Sequence, residues 1–122
     1  MSGGLPRLDH VQLAMPAGAE DRLRPFYGPG LDLVEVAKPP VLAARGGLWY
    51  RRGELELHLG VDEDFRPARK AHPAIVVADL DAVVARLQAQ SRTVRFDEDL
   101  PGVRRCHVSD PVGNRIELIA GG

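Results

Sequence analysis

The sequence predicts an α+β fold, two tandem βαβββ modules forming a cup-shaped, partly closed mixed sheet with helices outside. Three observations lead there. Strand-like alternation and helix-like spacing follow the order β-α-β-β-β and then repeat it. Each unit has about 60 residues, too few to bury a good core alone, so the halves should pack together. The whole chain, at 122 residues with 44% hydrophobic and 27% charged side chains, has the length and balance of one folded domain.

Each element follows from local pattern. Residues 8–15 set Leu8, His10, Gln12 and Ala14 against Asp9, Val11, Leu13 and Met15, the period of a strand, which Pro16 and Gly18 end. Residues 20–27 place Leu23, Phe26 and Tyr27 at helical spacing, and Gly28-Pro29-Gly30 stops the helix. A second strand spans 33–37 and closes at Pro39-Pro40. Residues 47–52, with Trp49 and Tyr50, form a third, and after a turn at Gly53 a fourth covers 54–61. The connection 62–69 is polar and carries Pro67. The pattern then restarts. Residues 73–77 are strand-like, Asp79 is a helix N-cap, and Leu80, Val83, Val84 and Leu87 form the apolar stripe of the helix. Strands at 93–96, 103–109 and 115–120 follow, the last two joined by a turn at Asp110-Pro111-Val112-Gly113-Asn114. The modules are thus 6–61 and 70–120, within one domain covering 1–122.

The bulk properties exclude several functions. With 16 basic and 17 acidic residues the net charge is −1, which offers no field for nucleic acid or an anionic membrane. Cys106 is the only cysteine, so neither an internal disulfide nor a thiolate zinc cluster is available within one chain, and a reducing compartment fits. The start lacks the apolar run of a signal peptide, and no stretch approaches the ~18 apolar residues of a membrane span. A cytoplasmic protein with a small-molecule partner is expected.

Chemistry gathers at paired positions of the repeat. His10 and His72 lie on the opening strands of their modules, Glu56 and Glu117 on the closing strands, separated by 46 and 45 residues. If the modules pack with pseudo-twofold symmetry, these four converge as metal ligands. Two imidazoles with one or two carboxylates suit Zn, Ni, Mn, Fe or Co. Period two sets Glu54, Glu56 and His58 opposite Leu55, Leu57 and Leu59, and Glu117 opposite Ile116 and Leu118. His58 shares the face of Glu56 and competes with it as fourth ligand, or lines the substrate wall. Arg66 in the connection, Arg105, and Gln12 beside His10 are candidate substrate contacts, the arginines through paired hydrogen bonds to an anion. His107 is read as a surface or packing residue and Cys106 as a small buried one.

Leu8-Asp9-His10-Val11, the run from Ala71 to Asp81 and above all Asp110-Pro111-Val112-Gly113-Asn114-Arg115-Ile116-Glu117-Leu118 resemble the vicinal oxygen chelate superfamily over residues 6–120. That group includes glyoxalase I, bleomycin- and fosfomycin-resistance proteins and extradiol dioxygenases. The resemblance implies that His10, His72 and Glu117 match a recurring two-His-one-Glu metal triad, and that Glu56 matches the fourth ligand of glyoxalase-like members. It implies a homodimer and a divalent metal facing two neighbouring substrate oxygens, with Glu56 or Glu117 moving a proton, as in a lyase or isomerase. An Fe(II) extradiol-type dioxygenase on His10, His72 and Glu117, a thiol transferase, and a metal-free antibiotic-binding module are the alternatives. The chain departs from the pattern at Pro73, at His107 where an aromatic is common, and in its short connection.

Overall fold

Apolar alternation becomes eight strands in a computed structural model that describes residues 4–121; residues 1–3, part of the N-terminal start read above, and 122 lie outside it. The first module runs β1 (Val11–Met15), α1 (Glu20–Pro25), β2 (Val34–Val36), α2 (Pro40–Ala43), β3 (Leu48–Arg52) and β4 (Leu55–Val61). The second runs β5 (Ala74–Val77), α3 (Leu80–Ala89), β6 (Val94–Asp97), β7 (Arg105–Ser109) and β8 (Arg115–Ala120). Each builds a four-stranded sheet, ordered β1-β4-β3-β2 and β5-β8-β7-β6. The equivalent order makes the repeat visible. β1/β4 and β5/β8 pair in parallel and the other neighbours antiparallel, so both sheets are mixed, and neither closes into a barrel.

The alternation decides the core. Leu48, Tyr50, Leu57 and Leu59 from the first sheet and Cys106, Val108, Ile116 and Leu118 from the second bury with Leu23, Phe26, Tyr27, Leu80, Val83, Val84 and Leu87 in one cluster. The opposite strand faces carry Glu56, His58, His107 and Glu117. Asp79 caps α3 as its sequence suggests, its Oδ1 accepting from the Ala82 N–H at 3.1 Å.

β1 begins at Val11 and β5 at Ala74, so His10 and His72 stand just before the opening strands instead of on them; two further local features differ from the sequence reading. α1 does not stop at Gly28 but widens into a π turn over Phe26–Gly30, with the Leu31 N–H donating to the Phe26 carbonyl. Gly30 is needed there because a Cβ would stand 2.9 Å from Leu87 Cδ2 on α3. Arg86 of α3 and Gln90 at its C-cap bond to carbonyls of this segment, Arg86 Nε donating to Gly30 and Gln90 Nε2 to Pro25. Pro40, read as a strand terminator, also opens the one-turn helix α2, since its fixed φ suits a first helical turn. No helix among the described residues is long and apolar enough to cross a membrane.

Candidate metal centre

The site grows from one cross-strand row. Register places Ala74, Glu117, His107 and Arg95 side by side on β5, β8, β7 and β6. Glu117 faces away from Leu118 and Ile116 and is nearly excluded from water, 6% exposed. His72 stands just before β5, outside the ladder, so its ring is free to turn onto Glu117. Its Nδ1 lies 2.8 Å from the Lys70 carbonyl, which can only accept, so Nδ1 carries hydrogen and Nε2 is directed inward. Nε2 lies 2.9 Å from Glu117 Oε1, and His107 Nε2 lies 3.5 Å from the same oxygen. The two rings meet edge to face with centroids 5.6 Å apart.

The ligand atoms of His72, His107 and Glu117 all lie within 4.8 Å of one another, the one such group of three or more His, Cys, Asp or Glu among the described residues. Ligand atoms about 2.0–2.2 Å from a zinc ion stand about 3–3.5 Å apart, and the distances of the two imidazole nitrogens from Glu117 Oε1, 2.9 and 3.5 Å, are close to that spacing. A carbonyl behind a ligand imidazole, fixing its tautomer, is also what metal sites use. Arg105 completes the surroundings. It donates from Nη2 to Asp97 at 2.9 Å and from Nη1 to Glu117 Oε2 at 3.3 Å. Burial alone would raise the Glu117 carboxyl, but the His72 ring and the Arg105 guanidinium at its oxygens overcome it and hold the group below the usual carboxylate range.

The four ligand candidates of the sequence therefore divide. His72 and Glu117 come together, while His10 and Glu56 belong to a second cluster on the first module. There His58 is clamped between Trp49 and His10, ring centroids 4.2 and 4.3 Å away. Burial, then the neighbouring His10, pushes the His58 imidazole below its usual value. His10 Nδ1 pairs with Asp9 at 2.9 Å. Glu56 takes a 2.6 Å hydrogen bond from Arg51 and stands 4.0 Å from His58. Gln12 is opposite His58 in register and lies over Gly60, and Arg66 is exposed in the connection. His107 corrects the sequence reading: it is half-buried at the triad instead of a surface or packing residue. The signal was present. His107 and Glu117 are equidistant from Val112, the middle of the turn, so a tight hairpin must set them opposite each other.

No family model matches the chain, and no curated protein matches its sequence. Solved structures do. A glyoxalase family protein from Bacillus anthracis is 42% identical, with a TM-score of 0.91 and full coverage of both chains. Lactoylglutathione lyase from Agrobacterium tumefaciens, 21% identical over 96% of each chain, has a TM-score of 0.67. An antibiotic-binding protein from Streptomyces sp. CB03234, 22% identical over 98% of each chain, has a TM-score of 0.71. The last two share the fold, whereas the first shares the sequence from end to end, and the chain belongs to the glyoxalase family within the vicinal oxygen chelate superfamily.

Proposed function

We propose that this protein is a divalent-metal-dependent lyase or isomerase of the glyoxalase type, acting on a small molecule with two neighbouring oxygens. The triad of His72, His107 and Glu117 carries that reading. A metal bound there supplies Lewis acidity toward the two oxygens. Lys70 fixes the tautomer of His72 through its carbonyl. Arg105 engages Oε2 of Glu117 and leaves Oε1 to the imidazoles. With Glu117 so committed, Glu56 is the carboxylate left to move a proton beside a carbonyl.

Glu56 lies on the first module, so its work at the triad calls for a homodimer. In it the first-module cluster of one copy covers the triad of the other. His10 then arrives as a fourth ligand, with His58, Gln12 and Arg66 at the substrate wall. Support comes from the equivalent placement of the clusters in the two repeats. Val34 and Val76, 52% and 66% exposed, also lie on the same strand faces as these clusters. A cytoplasmic site of action fits the single, buried Cys106.

Metal analysis by mass spectrometry on untagged protein tests the reading. One equivalent of Zn, Ni, Mn, Fe or Co per chain, lost in H72A and E117A, is expected, together with a higher melting temperature on loading. Protein that keeps no metal and gains no stability from any of the five overturns it. Iron-loaded protein that consumes oxygen with a catechol would instead mark the dioxygenase chemistry, and turnover only with an added thiol would mark a thiol transferase. The Trp49–His58–His10 stack favours one further reading, metal-free binding of a flat antibiotic. Calorimetry with bleomycin, with and without chelator, separates it.

A further inference from the structure

Beside the triad lies an open cavity of about 880 Å³ whose lining includes His107 and four arginines, Arg69, Arg92, Arg95 and Arg115. Elsewhere the arginines near carboxylates are engaged: Arg24 with Glu35, Arg51 with Glu56, Arg52 with Asp32, Arg104 with Asp81. None of the four in the cavity makes an ion pair among the described residues; Arg115 reaches only the Arg69 carbonyl, at 3.4 Å. Asp97, Glu98 and Asp99 also line the cavity. Asp97, however, is neutralised by Arg105, which is not part of that lining. Four guanidiniums thus face two free carboxylates in a concave space, which concentrates positive potential there.

The row across the second sheet gives the geometry. Arg95 is opposite His107, and His107 is opposite Glu117. Strands lie about 4.8 Å apart, so the Arg95 backbone starts about 10 Å from Glu117 and one strand from the His107 ligand. A small molecule held at the triad by one end brings its other end under Arg95. A planar guanidinium with no internal partner is suited to grip a carboxylate or phosphonate with two parallel hydrogen bonds.

We infer that this cavity is the subsite for an oxyanion group, a carboxylate or phosphonate, at the far end of the substrate, with Arg95 as its main partner and Arg92 and Arg69 beside it. The inference rests on the proposed function for the near end of that molecule, and its test is independent of it. Arginine Nε–Hε signals are followed by NMR while methylphosphonate or propionate is added to zinc-loaded and to metal-free protein. The Arg95 signal, with Arg92, should move saturably for at least one of the two anions, and their comparison tells phosphonate from carboxylate. R95A, a substitution on an exposed side chain, should weaken the tighter anion by about ten-fold or more, the worth of a charge-assisted hydrogen bond. Equal small shifts at Arg22 and Arg45, or unchanged affinity in R95A, overturn the subsite. Metal content of the same sample separates the two readings: anion binding at Arg95 in protein that retains none of Zn, Ni, Mn, Fe or Co upholds the subsite and ends the metal chemistry.

Discussion

The Asp110 carboxylate, 2% exposed, accepts from the Tyr27 hydroxyl at 2.6 Å, from the Val112 and Asn114 N–H groups at 3.0 and 2.9 Å, and from Asn114 Nδ2 at 3.1 Å. Asn114 Nδ2 also donates to the Ala14 carbonyl on β1. The Asp-Pro-Val-Gly-Asn run, the most specific part of the sequence, thus ties the second module's hairpin to the first module. Tyr27→Phe should cost about 1–2 kcal/mol, and Asp110→Ala about 3 kcal/mol or more because it orphans several buried donors at once, both read by urea unfolding. The two tyrosines give a pH test. Burial, then the Asp110 charge, raises the Tyr27 phenol well above its usual value, and burial raises Tyr50 to about 12. Raised folded values mean that this stability is intact below the unfolded pKa near 10 and is lost as pH climbs from there through the folded values. Absorbance at 295 nm should show no phenolate at pH 10 in native protein and half-ionisation in guanidinium. Native titration at pH 10 would refute the assignment.

Among elements, what the sequence disclosed was whatever period two or 3.6 controls. Leu55, Leu57 and Leu59 announced β4, and Asp79 with the Leu80–Leu87 stripe announced α3. The π turn was hidden, because Gly28-Pro29-Gly30 signals an end equally well for a helix that stops and for one that widens. The widened turn lies against Leu87 and Gln90 of the other module, a long-range contact that local pattern does not hold. The triad was half legible for a different reason: Glu117 and His72 stand at repeat positions, whereas His107 joins through the register of the β7–β8 hairpin, which has to be counted out from its turn. β3 opens on a backbone demand that a variant exposes. Gly47 has φ +93°, and a Cβ there would stand 2.3 Å from the Leu59 carbonyl of β4. Its N–H also donates to Glu20 on α1. Gly47→Ala combines left-handed strain with a backbone clash and should cost about 3 kcal/mol or more. Asp79→Ala, which removes only a cap, should cost about 1 kcal/mol. If thermal unfolding ranks the two the other way, the packing of β3 against β4 is wrong.

For the whole molecule, the repeat puts a His–Glu cluster on each sheet, yet among the described residues the ligand atoms of only the second gather within 4.8 Å of one another. Duplication supplies equivalent faces, and a twofold pairing of chains is the simplest arrangement that sets the first-module face of one against the second-module face of the other. Light scattering should then give twice the chain mass, and a complementation experiment decides whether the site is shared. H10A and H72A should each bind zinc weakly as pure proteins. Unfolded together and refolded, about half the dimers are mixed, and each of these has one site with both histidines intact, so about a quarter of all sites should regain wild-type affinity. A mixture that regains nothing means the first module never reaches the triad. His72, His107 and Glu117 must then bind any metal alone, and Glu56 loses its role in proton transfer.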